Sequence, residues 1–162
     1  MRSDAVEELF KAHYNDAYLY TLTITKNAQE AEDIVSVAFF RALNTADKKI
    51  RDFKPWLLRV CRNEIYTRSR KSKKVTALEG DVADEAENAV EKVIMDEEYR
   101  ALHKAIGLLP ENLREILLLF YFEEMSVKEI ADIVGKTEVN VRVSLYRGRE
   151  ELKKLLEAIY EF

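Results

Sequence analysis

The sequence predicts an all-α protein of two small helical domains joined by a flexible linker, the second domain containing a helix-turn-helix. Three observations lead to this prediction. Apolar residues recur at helical spacing along most of the chain. Only 4 Gly and 2 Pro occur among 162 residues, which favours helices over many short strands. A polar stretch without periodicity interrupts the pattern near the middle of the chain.

The first half of the chain predicts three helices. The first carries a single apolar stripe, which needs partner helices to bury it. Asn27 followed by Glu30 predicts a capping box at the start of the second helix. After a polar and basic loop at 44–54, Pro55 suits the first turn of a third helix over 55–71. The stripe of the first helix consists of Val6, Leu9, Phe10, His13, Ala17, Tyr20 and Ile24.

The third helix has two faces of different chemistry. Trp56, Leu57, Val60, Cys61 and Ile65 make one side apolar, and Trp56 is therefore expected to pack rather than to stack on a base. Spacings of three, four and seven place a basic and aromatic set on the other side. Cations that follow a backbone and rings that stack on bases are typical of single-stranded nucleic-acid binding. This set is Arg59, Arg62, Asn63, Tyr66 and Arg70.

Charge is distributed unevenly along the chain. The net charge of -4 alone argues against a nucleic-acid partner. However, residues 48–74 hold eleven Lys or Arg against two acids, whereas 75–98 hold nine acids against one Lys. The change from basic to acidic falls within the polar stretch near the middle of the chain, which has no helical periodicity. We therefore predict a first domain at 1–71, a linker at 72–90 and a second domain at 91–162.

A helix-turn-helix is predicted within the second domain. Ser126 with Glu129 forms a second capping-box pattern, Gly135 suits a turn of positive φ, and Thr137 can cap the next helix. The early residues of such a second helix reach base edges in the major groove. A helical hairpin with merely solvated arginines remains the alternative. The candidate base-contacting residues are Glu138, Asn140, Arg142, Val143, Tyr146 and Arg147.

Several functional classes are disfavoured. Cys61 is the only cysteine, so neither a disulfide framework nor a Cys-rich zinc site is expected. No phosphate-binding loop, HExxH pair or dinucleotide turn occurs, and the two histidines, His13 and His103, are interpreted as structural. The longest apolar run, 116–122, is too short to span a bilayer. We expect a cytoplasmic protein with no catalytic residues, no metal and no cofactor.

Short sequence stretches in a fixed order carry a family resemblance. They are Ala31-Glu32-Asp33-Ile34-Val35, Phe39-Phe40-Arg41-Ala42, Trp56-Leu57-Leu58-Arg59-Val60-Cys61-Arg62-Asn63, Leu108-Leu109-Pro110 with Arg114, Lys128-Glu129-Ile130-Ala131 with Gly135, Val141-Arg142, and Leu145-Tyr146-Arg147-Gly148-Arg149. Together they resemble the RNA polymerase sigma factors of the extracytoplasmic-function type, the fourth group of the sigma-70 superfamily. Val143, Ser144 and Gly148 depart from the residues that this family more often has there.

The resemblance implies a division of labour in transcription initiation. The first domain would bind core RNA polymerase and melt and read the minus-ten element, with the third-helix set contacting the opened strand. The second domain would read the minus-thirty-five duplex, with Arg114 added to its contacts. The loop after the second helix captures a flipped base in the family, which makes Asn44, Thr45, Lys48 and Lys49 further minus-ten candidates.

The resemblance also implies partners. The clamp helices and flap of the polymerase large subunit would be the core contacts, and Asp33, Val37, Phe40 and Arg41 on the second helix would form the docking strip. A core-packing role for Val37 and Phe40 remains open. An anti-sigma factor, in this family commonly membrane-anchored, is expected as well. The competing function is a helix-turn-helix regulator that acts without polymerase docking.

Overall fold

The computed structural model describes residues 3–45, 52–71 and 88–160, and its secondary structure there is α-helical throughout, without strands. The chain divides into two compact units, Met1–Val93 and Ile94–Phe162. The predicted all-α class, with a helix-turn-helix in the second unit, is confirmed. The helices are α1 (Ser3–Thr25), α2 (Ala28–Asn44), α3 (Phe53–Lys71), α4 (88–93), α5 (Glu97–Gly107), α6 (Glu111–Tyr121), α7 (Val127–Val134) and α8 (Glu138–Tyr160).

The core of the first unit lies where α1, α2 and α3 pack against one another. The single stripe predicted for α1 understates its burial, because every residue from Ala17 to Thr23 is buried. A helix that is enclosed on all sides is usually apolar on all sides. The hydroxyl of Thr23 can be buried here because it donates a hydrogen bond to the Leu19 carbonyl at 2.7 Å. Phe10, in contrast, lies on the predicted stripe and is 38% exposed.

Local backbone geometry sets the ends of these helices. Lys26 at φ 54° closes α1, and the Asn27 side chain accepts the Glu30 N–H at 3.0 Å to cap α2. Helix α3 begins at Phe53, two residues before the predicted start, because the Asp52 carbonyl already accepts the Trp56 N–H at 3.2 Å. Pro55 still occupies the first turn, where no N–H is required.

Helix α4 belongs to the first compact unit, which ends at Val93. Ala89 is buried, and α4 closes a cleft of about 500 Å³ beside Tyr14 and Tyr18. Burial, together with the Glu32 carboxylate across the cleft, raises the pKa of both tyrosines. The rest of the predicted linker, 72–87, lies outside the described residues.

The second unit is built around α6, whose residues Ile116 to Leu119 are almost wholly buried against α5, α7 and α8. The capping box at α7 is confirmed: Glu129 N–H donates to Ser126 Oγ at 3.1 Å, and Ser126 N–H donates to Glu129 Oε1 at 3.0 Å. Gly135 then turns the chain at φ 70°. Among the residues that the structure describes, each helix is too short or too polar to span a lipid bilayer.

Candidate nucleic-acid interfaces

The basic and aromatic set predicted on α3 occupies one side of that helix, and we call it the α3 basic face. Arg59, Asn63 and Arg70 are exposed, whereas Arg62 and Tyr66 are half-buried. The Arg62 guanidinium lies 4.5 Å from the centroid of the Tyr66 ring. Such a stacked cation presents charge and a flat surface together, which suits a phosphate and an unpaired base.

The opposite side of α3 anchors this face to the domain. Leu57, Leu58 and Cys61 are fully buried, and Ile65 is nearly so. Trp56 is half-buried, with its ring 5.8 Å from that of Phe53, which agrees with the packing role expected for it. The basic face therefore lies on a well-packed helix, which limits the positions its side chains can take.

The predicted loop candidates are placed only in part. Asn44 is the last residue of α2 and is exposed, and the Thr45 hydroxyl donates to the Ala42 carbonyl at 3.0 Å. The local hydrogen bond fixes the Thr45 side chain at the end of α2. Lys48 and Lys49 lie outside the described residues.

The candidate docking residues Asp33, Val37, Phe40 and Arg41 lie along the outer side of α2 and are called the α2 strip. Asp33 and Arg41 are exposed, Val37 is half-buried, and Phe40 is 61% exposed. A core role for Phe40 is therefore not what the structure shows. Leu43, one turn beyond Phe40, is 41% exposed and extends the apolar part of the strip. Its spacing of three from Phe40 is the signal that could have identified it.

Ion pairs join the α2 strip to α3 in a chain that we call the α2–α3 bridge. Arg41 Nη2 lies 2.8 Å from Glu64 Oε2, and Arg68 Nε lies 2.9 Å from Glu64 Oε1. Arg68 Nη1 continues the chain to Asp33 Oδ2 at 2.6 Å. Sequence reasoning missed Glu64 and Arg68, because each faces a partner on α2 at least 23 residues away in the chain.

The bridge perturbs the ionisation of its inner members. Hydrogen bonding from Arg68, assisted by Arg41, lowers the pKa of the Glu64 carboxyl despite its burial. Burial alone would lower the pKa of Arg68, but its hydrogen bonds to Glu64 and Asp33 raise it. Both shifts favour the charged forms, so Glu64 and Arg68 stay ionised near neutral pH.

The six candidate base-contacting residues on α8, which we call the α8 reading face, are all exposed. Tyr146 is 67% exposed, and Val143 is exposed whereas its neighbour Ser144 is buried. Val143 is therefore accessible to another molecule, whereas Ser144 is not. Val139, which sequence reasoning missed, is as exposed as Tyr146 and lies in the first turn of α8.

The start of α8 is fixed by the turn that precedes it. Thr137 Oγ1 accepts the Asn140 N–H at 3.1 Å, as predicted for a helix cap. Arg142 Nη2 lies 3.8 Å from Glu138 Oε1, and both side chains are at least half exposed. Such an exposed pair is weak, so either group is available to a base edge.

Arg114 lies on α6, not on α8, and is half-buried. Its Nη2 donates to the Leu109 carbonyl at 3.0 Å, which holds the guanidinium against the turn before α6. Its Nε is buried and has no hydrogen-bond partner among the described residues.

The part of the chain that the structure describes contains no cluster of three His, Cys, Asp or Glu residues that could hold a metal ion.

Comparison with known proteins agrees with this arrangement. Residues 9–75 match the family described as Sigma-70 region 2, and residues 99–152 match Sigma-70, region 4. The fold is similar to that of the sigma factor RpoE solved in complex with the anti-sigma factor NepR from Bartonella quintana. In that comparison the TM-score is 0.69 and the identity 19%, with 93% of this chain and 96% of the other covered.

Sequence similarity extends along both domains. The chain is 29% identical over 167 residues to the ECF RNA polymerase sigma factor SigW of Bacillus subtilis, covering 94% of this chain and 89% of SigW. It is 33% identical over 153 residues to the ECF RNA polymerase sigma factor SigM of the same organism, covering 93% of this chain and 94% of SigM. The chain therefore belongs to the ECF sigma factors of RNA polymerase, which are transcription initiation factors rather than enzymes.

Proposed function

We propose that this sigma factor docks on the large subunit of core polymerase through the α2 strip and opens promoters with the α3 basic face. In this proposal the segment 44–49 assists at the minus-ten element, and the α8 reading face, with Arg114, reads the minus-thirty-five duplex. The observation that carries the proposal is the Arg62–Tyr66 stack on a helix side otherwise made of exposed Arg59, Asn63 and Arg70. A protein that recognises only duplex DNA would have no use for this surface, because stacking on a base requires an unpaired strand.

A helix-turn-helix regulator without polymerase docking would use the α8 reading face alone. It would leave the α3 basic face and the exposed Phe40 without a function. The test is co-purification of the tagged chain with core RNA polymerase, followed by transcription from a promoter that core enzyme cannot start alone. Core binding with initiation supports the proposal, and absence of both would overturn it.

We further propose that the chain works in the cytoplasm, without catalytic activity or cofactor, and is held inactive there by an anti-sigma factor. The family resemblance implies such a partner, and RpoE was solved with one. The measurement is isolation of the tagged chain before and after promoter activity rises. A partner that is bound at low activity and absent at high activity is expected. Unchanged association would contradict this regulation.

A further inference from the structure

The α2–α3 bridge connects two surfaces that the proposed function assigns to different partners. Asp33 and Arg41 lie near opposite ends of the α2 strip, and both are held by side chains of α3. Glu64 is 13% exposed at its side chain, whereas Arg41 and Asp33 remain 48% and 63% exposed. The inner member is therefore enclosed, and the outer members keep atoms free to meet another protein.

The chemistry of the bridge depends on an arginine at position 68. Its Nε and Nη1 contact different carboxylates, Glu64 on the same helix and Asp33 on α2. A guanidinium can do this because its donors diverge in a fixed planar fork, whereas a lysine has a single nitrogen. Glu64 likewise uses one oxygen for Arg68 and the other for Arg41.

We propose that Glu64 and Arg68 are positioning residues, which preorganise Asp33 and Arg41 for polymerase docking and fix the α3 basic face relative to the docked α2 strip. This inference rests on the proposed function. Side chains that are already ordered lose less rotational freedom on binding, so docking is stronger. The same bridge transmits the docked position of α2 to α3, from which the basic face projects.

The test compares full-length variants for binding to core polymerase and for promoter opening. We expect Arg68→Lys and Glu64→Gln each to weaken core binding by about threefold to tenfold, as expected for losing the order of one or two side chains. With saturating core, both variants should also open the promoter more slowly in a permanganate assay. Lys71→Gln on α3 and Glu32→Gln on α2 are matched controls, because both residues are exposed and outside the bridge.

A double-mutant cycle separates positioning from general stabilisation of the domain. In an Asp33→Asn background, Arg68→Lys should weaken core binding less than it does in the wild type, because one of the two carboxylates that Arg68 holds has already lost its charge. Circular dichroism melting of each variant, with binding measured well below the lowest midpoint, distinguishes loss of fold from loss of docking. Additive effects in the cycle would overturn the proposal.

Two further outcomes would contradict the inference. In the first, Arg68→Lys binds core polymerase and opens the promoter as the wild type does, whereas Arg68→Gln is impaired in both. This result would show that a positive charge at position 68 is sufficient and that the forked geometry of the guanidinium is unnecessary. Wild-type behaviour of both Arg68→Lys and Glu64→Gln would remove the bridge from docking altogether. Failure of the unmodified chain to bind core polymerase would instead overturn the proposed function, and this inference with it.

Discussion

Arginines on α8 have different roles according to their contacts. Arg149 donates its Nε to the Tyr121 hydroxyl at 2.8 Å, and its guanidinium lies 5.1 Å from the centroid of the Phe120 ring. Arg142 lies 3.8 Å from the exposed carboxylate of Glu138 and is 62% exposed at its side chain. Arg149 therefore stabilises the domain, whereas Arg142 is available for DNA.

Replacing Arg142 by alanine tests its role in base reading. A guanidinium that contacts a base edge discriminates by about 1–3 kcal/mol, so Arg142→Ala should reduce preference at one or two base pairs. The measurement is holoenzyme binding to a set of minus-thirty-five variants. Lys153→Ala, an exposed cation farther along α8, is the control. Equal loss on every variant would make Arg142 a phosphate contact.

Tyr66 tests the role of the α3 basic face in strand opening. Removing the ring takes away a stacking surface worth about 1–3 kcal/mol per base, so Tyr66→Ala should slow opening by about fivefold or more. Tyr66→Phe keeps the ring and is expected to open promoters at nearly the normal rate. Permanganate reactivity reports opening, and binding to the minus-thirty-five duplex should not change. An unaltered opening rate in Tyr66→Ala would exclude Tyr66 from this role.

At the scale of the helix, close packing decides what a substitution does. A Cβ placed at Gly148 would lie 2.9 Å from both Cγ and Cδ1 of Leu117, a fully buried residue of α6. Helix α8 therefore passes α6 at a distance that a side chain at position 148 would disturb.

Gly148→Ala should lower the free energy of unfolding by about 1 kcal/mol. The substitution gains about 0.8–1.0 kcal/mol of helix propensity but adds an overpacking cost of about 1–3 kcal/mol. In a Leu117→Ala background the space is open, so the same change should become stabilising. Urea unfolding of the four variants measures this reversal. A destabilising effect of equal size in both backgrounds would show that the contact with Leu117 is not the cause.

Helix ends were predictable from sequence because their signals are local. Asn27, Ser126 with Glu129, and Gly135 each act on backbone groups within a few residues, and the structure confirms the cap at Asn27, the capping box at Ser126 and the turn at Gly135. The box predicted at Asn27 is only half formed, because the Asn27 N–H donates to Thr25 Oγ1 at 3.4 Å and not to Glu30. The α2–α3 bridge was not predictable, since Arg68 and Asp33 are 35 residues apart and meet only through packing. The placement of α4 in the first unit depends in the same way on tertiary contacts. Exposure on a predicted helix face was foreseeable, but the partners of a charged side chain were not.

At the scale of the whole molecule, the two units are expected to respond differently to acid. Burial lowers the pKa of His103 in the second unit to about 4, whereas its ordinary value is 6.5. The folded state favours the neutral form of His103, whereas the unfolded state takes up a proton as the pH falls below 6.5. The free energy of unfolding of the second unit is therefore highest above pH 6.5 and decreases as the pH falls towards 4. In the first unit the lowered pKa of Glu64 acts in a lower range, below 4.5.

We therefore expect the second unit to lose about 2 kcal/mol between pH 7 and pH 5, a fall in melting temperature of about 10 °C. The first unit should change less over this interval. Differential scanning calorimetry across the range separates the two transitions. His103→Gln, which stays neutral, should abolish the shift. A shift that persists in this variant would assign the acid sensitivity to another group.

If each of the two compact units has the DNA surface proposed for it, a promoter is a bivalent ligand. Once one unit is bound, the other meets its element at a local concentration set by the tether between them, so overall avidity can exceed either affinity by about 10²- to 10⁴-fold. The affinity of each surface for its own promoter element can then be low. Promoter choice would depend on the simultaneous presence and spacing of both elements, because a sequence that matches only one of them would lose this gain.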